Sequence, residues 1–176
     1  MIAVIMAGGR ASRMGGVVKP ILDVCGAPLI LHVARAVDGM VRLKVLALSS
    51  YTIEHLKHYC SMMECIQTPG AGYPEDLSLI LKTISYRPLL VLPADLAYLD
   101  EEILKDLASK AGEVRGDIVT MTCRGEPQGI SIVKGYGDTW VSIEEPCNHI
   151  NVNSWKSLEE ARRRCENMEV HHRQGQ

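Results

Sequence analysis

Residues 7–20 read Ala-Gly-Gly-Arg-Ala-Ser-Arg-Met-Gly-Gly-Val-Val-Lys-Pro and follow directly on an apolar run. Four glycines interleaved with Arg10, Arg13 and Lys19 suit the binding of a polyphosphate. Glycine lets backbone N–H groups converge on an anion, and the cations place full charges around the same oxygens. The plainer alternative is a glycine turn between a strand and a helix, but such a turn needs neither four glycines nor the cations. The segment is not a Walker A loop, because no Gly-Lys-[Ser/Thr] follows at the required spacing, and it is not the Gly-x-Gly-x-x-Gly dinucleotide pattern.

The elements that must position this loop are legible as alternating short apolar runs and amphipathic segments. Residues 2–7, 43–49, 65–68, 89–93, 117–122 and 129–133 read as strands, several of them apolar enough to be buried on both faces. Residues 28–37, a segment capped by Thr52, and residues 74–84, 100–111 and 157–168 read as helices. In 74–84, Leu77, Ile80, Leu81 and Ile84 form one stripe behind Glu75 and Asp76 in the first turn. Strand-helix alternation implies βαβ units and a three-layer α/β/α, Rossmann-like architecture with a mostly parallel sheet, whose ligands sit at strand C-termini. Residues 124–148 are richer in Gly and Pro and read as a hairpin plus a long connection on the substrate side. The 176 residues fit one domain, 1–170, followed by a polar tail, 171–176, expected to be frayed.

Composition narrows the function class. Nineteen Lys plus Arg against 21 Asp plus Glu give a formal charge of -2, so no global field recruits nucleic acid or an anionic membrane, and any anion site must be local. Phe is absent and Trp occurs twice, which disfavours base-stacking platforms. The longest apolar runs, such as 45–48 and 88–92, fall far short of the roughly 20 residues of a membrane-spanning helix. The apolar start lacks a basic leader and is not read as a signal peptide. Six cysteines form no C-x-x-C pair, so neither a disulfide framework nor a zinc knuckle is expected, and the reading is buried thiols in a reducing cytoplasm.

The loop resembles the signature of MobA-like nucleotidyltransferases that share the nucleotide-diphospho-sugar transferase fold, A-G-G-x-G-[ST]-R-M-G-x-x-x-K-P. Ala7, Gly8, Gly9, Ser12, Arg13, Met14, Gly15, Lys19 and Pro20 match, and Ala11 replaces the third glycine. The segment from Cys25 to Ile30 resembles the family's G-x-P-L-I element, and Pro93-Ala94-Asp95-Leu96 resembles the segment with its metal-binding aspartate. Asn151-Val152-Asn153-Ser154, followed by Leu158, resembles the late N-x-N-T-P-E-D-L motif, with Trp155 and Lys156 in place of the usual Pro and acid. Gly70-Ala71-Gly72-Tyr73-Pro74-Glu75-Asp76-Leu77 is similar to the G-x-G-Y-x-E-D-L element of archaeal GTP:adenosylcobinamide-phosphate guanylyltransferases.

The resemblance implies transfer of GMP from GTP to a corrinoid phosphate, with Mg2+ as cofactor. The partners expected are GTP and that acceptor, with a homodimer compatible with the chain and no nucleic acid. Alternatives are a molybdenum cofactor guanylyltransferase, a sugar-phosphate nucleotidyltransferase of the same fold, or a nucleotide-binding module without turnover. Arg13, Lys19 and Asp95 are assigned to catalysis. Ala7, Gly8, Gly9, Arg10, Ser12, Arg13, Lys19, Ser49, Gly72, Asp76 and Asn151 are assigned to the nucleotide. Asp95 emerges at a strand end and suits Mg2+, with Asn153 as a neutral second ligand. The alternative for Asp95 is a helix cap, although Asp100 is better placed for that; Asn151 and Asn153 can equally cap the last helix. Asp76 can accept from N1–H and the exocyclic amine of guanine, or serve the helix N-terminus. Tyr73 is the nearest residue for stacking on the base.

Overall fold

Successive residues of the first strand point to opposite sides, and both sides are apolar, so helices must cover both. The computed structural model describes residues 1–10 and 12–174, with side chains through residue 168. In chain order the elements are β1 (Ile2–Met6), β2 (Asp23–Val24), β3 (Ala27–Pro28), α1 (Leu29–Ala36), β4 (Leu43–Ser49), α2 (Ile53–Leu56), β5 (Glu64–Thr68) and α3 (Tyr73–Thr83). They continue with β6 (Leu89–Pro93), β7 (Leu96–Ala97), α4 (Glu101–Glu113), β8 (Ile118–Cys123), β9 (Glu126–Val133), β10 (Trp140–Glu144), β11 (Ile150–Asn151) and α5 (Trp155–Gln174). Ala3 and Ile5 join Val33 of α1, Leu56 of α2 and Leu104 and Leu107 of α4 in one core. Ile2 and Val4 face the other way, into a core closed by Ile80 of α3.

Seven strands form the central sheet in the order β10-β8-β9-β6-β1-β4-β5. β1, β4, β5 and β6 are parallel, and β9 is antiparallel to both β6 and β8. The chain leaves β1 to build β4 and β5 on one side and then returns to lay β6 on the other. The strand order therefore reverses at β1, and the loops after β1, β4, β5 and β6 gather above one crevice. Two small ladders, β2 with β3 and β7 with β11, carry α5 against a third cluster that contains Val24, Leu29, Val152 and Leu158.

The expected elements are present, with instructive differences. Asp100 caps α4 by accepting from the Glu102 N–H at 2.9 Å. Thr52 caps nothing: its hydroxyl is turned back to accept from the Ser49 N–H at 3.1 Å, and α2 is a single turn. Residues 124–148 form the expected hairpin turn, but they also supply β10, which pairs in parallel with β8 at the sheet edge. Its residues alternate in exposure without a strongly apolar face, which hid the strand in the sequence. α5 continues through Gln174, beyond the last apolar position of the stripe, so part of the tail expected to be frayed is helical; residues 175 and 176, like Ala11, lie outside the described residues. Among the described residues no helix is long and apolar enough to cross a membrane.

The cysteine reading is overturned. All six are bonded, Cys25 to Cys165, Cys60 to Cys65 and Cys123 to Cys147, with Cα separations of 5.5, 5.6 and 5.5 Å. Two of the pairs join segments that meet only in the fold, which no spacing rule can show, and the reducing compartment inferred from free thiols loses that support. Cys25–Cys165 closes 140 residues and ties the β2–β3 turn to α5. A crosslink over a loop of that size stabilises by about 5 kcal/mol in the chain-entropy account. Thiol titration of the denatured, unreduced protein is expected to find no free thiol, and reduction should expose six and lower the thermal midpoint. Six titratable thiols before reduction would contradict the pairing.

Candidate functional site

The loops above the strand ends enclose a cavity of about 400 Å³, walled by residues 6–10, Lys19, Pro20, residues 70–73, Asp76 and residues 93–95. A wider depression runs along α5, but Lys156, Glu159, Glu160 and their neighbours there belong to one helix face away from the strand ends. The strand-end cavity is therefore the candidate site.

Close approach of backbone shapes one end of it. A Cβ at Gly8 would lie 3.2 Å from Asp76 Oδ2, 3.3 Å from Ser49 Cβ and 3.4 Å from Thr68 Oγ1, so a larger residue there would press its neighbours back by a few tenths of an ångström. The Ser49 hydroxyl donates to the Gly8 carbonyl at 2.8 Å and accepts from the Tyr51 N–H at 3.2 Å. Asp76 is buried, and its Oδ1 accepts from the Gly70 N–H at 2.9 Å, where Gly70 takes the left-handed φ of 70°. That bond holds the 70–72 turn in place. The remaining Asp76 oxygen is an acceptor at the cavity wall.

Lys19 governs the opposite end. Pro20 follows it in a short 3-10 turn and is buried, which anchors the backbone while the Lys19 side chain extends inward. Lys19 Nζ is ion-paired with Asp95 Oδ2 and donates to Asn153 Oδ1 at 2.8 Å. Asp95 stands just past β6, where the Ala94 N–H donates to the Met6 carbonyl. The Val152 N–H donates to the Asp95 carbonyl at 2.9 Å, which sets Asn153 beside the carboxylate. Arg10 closes the rim: its guanidinium lies 4.3 Å from the centre of the Tyr51 ring and donates to the Gly70 carbonyl at 3.3 Å.

A glycine-rich loop, a buried carboxylate and a Lys-Asp-Asn junction stand around one crevice, and in a sequence comparison the MobA-like NTP transferase domain matches residues 3–174. The chain belongs to this family. An adenosylcobinamide-phosphate guanylyltransferase of Methanocaldococcus jannaschii is 36% identical over 118 residues, covering 61% of this chain and 58% of that protein. A molybdenum cofactor guanylyltransferase of Pseudomonas syringae is 28% identical over 109 residues, covering 62% and 54%. The matched segment thus spans little more than half of either relative. Solved structures share the fold: CMP:2-keto-3-deoxy-manno-octonic acid synthetase with CTP has a TM-score of 0.73 at 13% identity, covering 95% of this chain and 98% of that one. HddC from Yersinia pseudotuberculosis, complexed with GMP-PN, has a TM-score of 0.72 at 14% identity, covering 93% and 98%. The architecture is the Rossmann-like nucleotidyltransferase fold.

Of the residues singled out from the sequence, Ala7, Gly8, Gly9, Arg10, Lys19, Gly72, Asp76 and Asp95 stand on the cavity wall, as does Tyr73. Ser12 and Arg13 lie in an exposed 3-10 turn outside that wall. Ser49 is fully buried, off the cavity wall, and acts as a brace between loops, so the geometry corrects its assignment to the nucleotide. Asn151 stands on β11, and its Oδ1 is the buried side-chain polar atom without a hydrogen-bond partner among the described residues. Tyr51 was missed: it is exposed and carries no motif, and only its contact with Arg10 places it at the rim.

The donor set fits a divalent cation. Among the described residues no three His, Cys, Asp or Glu side chains gather as a ligand cluster. Yet the Asp95 carboxylate and the Asn153 amide oxygen both face one positive charge, the Lys19 ammonium. A carboxylate and a neutral oxygen completed by substrate phosphates and water suit Mg2+, which rarely takes an all-protein cage.

The junction also changes what removal of Lys19 means. On the sequence alone Lys19 reads as an exposed cation of little structural worth. Here its side chain is only 17% exposed and that of Asp95 12%. Lys19→Ala strands a mostly buried carboxylate and is expected to cost roughly 2 kcal/mol. The double variant Lys19→Ala/Asp95→Asn should recover part of that loss. Urea unfolding of the two single variants and the double measures it, and strict additivity would show that the pair is not coupled.

Proposed function

We propose that this protein transfers GMP from GTP to the phosphate of adenosylcobinamide phosphate, forming adenosylcobinamide-GDP and releasing pyrophosphate. The carrying observation is the pairing of a buried carboxylate, Asp76, at one end of the cavity with the Lys19-Asp95-Asn153 junction at the other. A carboxylate oxygen at the wall accepts from guanine N1–H and its exocyclic amine, whereas adenine offers no such pair of donors. The similarity to an adenosylcobinamide-phosphate guanylyltransferase supports the acceptor.

The attacking group is a phosphate monoester, already anionic, so no strong general base is needed. The protein's work is alignment and neutralisation of charge. The Gly8 and Gly9 backbone, Arg10 and Lys19 hold the triphosphate, with Lys19 exchanging its Asp95 partner for a phosphate oxygen. Arg13, on its exposed turn, reaches the same phosphates from the loop's outer side. Asp95 and Asn153 would hold Mg2+, which when bound polarises phosphate oxygens and offsets charge on the leaving pyrophosphate. Tyr73, at the wall, covers the base.

The relatives that act on molybdenum cofactor favour a second reading, guanylyl transfer to a molybdopterin. A pyrophosphate-release screen of GTP, ATP, CTP and UTP against adenosylcobinamide phosphate, molybdopterin and a sugar phosphate decides between them. The expected outcome is release with GTP and adenosylcobinamide phosphate. Release with molybdopterin alone selects the second reading, and tight GTP binding with no release for any acceptor selects a non-catalytic binding module. Asp76→Asn should raise the KM for GTP about 10- to 100-fold through loss of a charge-assisted hydrogen bond, with far less effect on ATP. Equal changes for both nucleotides would remove Asp76 from base recognition.

A further inference from the structure

Tyr51 is 47% exposed and lies outside the three apolar clusters of the described residues, so burial gives little reason for an aromatic ring at this position. The turn after β4 nevertheless fixes it. The Tyr51 N–H donates to the Ser49 hydroxyl at 3.2 Å, and the Thr52 N–H donates to the Ser49 carbonyl at 3.0 Å. That hydroxyl is itself tied to the Gly8 carbonyl. The ring does not line the cavity, but the two residues it touches, Arg10 and Gly70, both do.

The Arg10 guanidinium sits over the ring, 4.3 Å from its centre. A Cβ at Gly70 would come 3.0 Å from both Cδ2 and Cε2 of the same ring. Gly70 has the left-handed φ of 70°, so glycine answers the backbone conformation and the close approach of the ring together. Arg10 and Gly70 also meet each other, through the bond from Arg10 Nη2 to the Gly70 carbonyl at 3.3 Å. Gly70 is thus held on three sides, its N–H by Asp76 Oδ1, its carbonyl by Arg10 and its Cα by the Tyr51 ring. An arginine on an exposed loop loses rotamer freedom when a ligand orders it, and that loss weakens binding. Stacking removes part of the loss in advance. It occupies the face of the guanidinium and leaves the N–H groups in its plane able to reach an anion.

We propose that Tyr51 is a positioning residue for nucleotide binding: its ring holds the Arg10 guanidinium and the 70–72 turn together across the rim, so that both meet the nucleotide already ordered. Tyr51 touches neither base nor phosphate and acts through Arg10 and Gly70. Lys19 is held at one end of the wall by Asp95, and Arg10 is held at the other by an aromatic face. The aromatic support leaves the Arg10 charge unpaired by a carboxylate, whereas Lys19 must give up its partner to reach a phosphate. Both contacts of Tyr51 are made by ring atoms, so phenylalanine can do the same work and alanine cannot.

This inference rests on the guanylyltransferase reading and is tested on nucleotide binding, without an acceptor. Dissociation constants for GTP and for ATP, each with Mg2+, are measured by titration calorimetry. The proteins compared are the unsubstituted chain, Tyr51→Ala, Tyr51→Phe, Arg10→Ala and the double variant Tyr51→Ala/Arg10→Ala. Tyr51→Ala should weaken GTP binding about 5-fold, and Tyr51→Phe should recover affinity to within about two-fold of the unsubstituted protein. Once Arg10 is gone, loss of the ring should cost a smaller factor, about two-fold, because the two side chains act as one unit. Unchanged GTP affinity in Tyr51→Ala overturns the inference. So does an equal loss in Tyr51→Phe, or a full loss that persists without Arg10. Those outcomes leave the guanylyl reading standing where the unsubstituted protein binds GTP more tightly than ATP. Tighter binding of ATP with the expected Tyr51 pattern overturns the guanylyl reading and keeps the inference, and binding of neither nucleotide overturns both.

Discussion

The Lys19 ammonium meets the carboxylate of Asp95, 76 residues away, and the amide oxygen of Asn153, 134 residues away. Three stretches of chain depend on this contact: the loop after β1, the end of β6 and the segment that leads into α5. Each reaches the junction by a different route. Buried Pro20 anchors the first, the parallel ladder from β1 to β6 delivers the second, and the bond from Val152 to the Asp95 carbonyl fixes the third. A charge held this way ties the three stretches together at one atom, the Lys19 Nζ.

The cavity's other end is organised by proximity of backbone. Gly8 lies close against Asp76, Ser49 and Thr68, where a Cβ would be a tight fit, and Asp76 binds the 70–72 turn while keeping one oxygen at the wall. The same carboxylate thus braces a loop and presents an acceptor. Ser49 braces from the neighbouring strand end, and Arg10, stacked on Tyr51, joins the phosphate loop to the turn across the rim. The cavity wall balances its charges, Arg10 and Lys19 against Asp76 and Asp95.

Covalent links reinforce the periphery. Cys25–Cys165 binds the β2–β3 turn to α5, and Cys123–Cys147 binds the end of β8 to the segment that precedes β11. Both therefore restrain elements around the Asp95 side of the crevice, where the bulge in β9 parts the sheet. These supports are independent of the hydrophobic clusters, so the Asp95 side of the crevice is held by crosslinks and short ladders, the Asp76 side by the central parallel strands.

The amino-acid sequence by itself determined the features that need only near neighbours. The glycine spacing of residues 7–20 announced a loop at the end of the first strand, and apolar runs of strand length announced the central strands. The acid at 95 announced a carboxylate at a strand end, and the acid at 100 a helix cap. These are legible because a turn, a strand period or a cap is a relation among a few consecutive residues. Only the tertiary structure decided that Lys19 shares its charge between Asp95 and Asn153, that Ser49 braces Gly8 instead of facing the cavity, that Tyr51 carries Arg10, and that the six cysteines pair. Each of these relations joins groups through space across packed strands, and spacing along the chain does not encode which distant partner the packing will bring within hydrogen-bond or bonding distance.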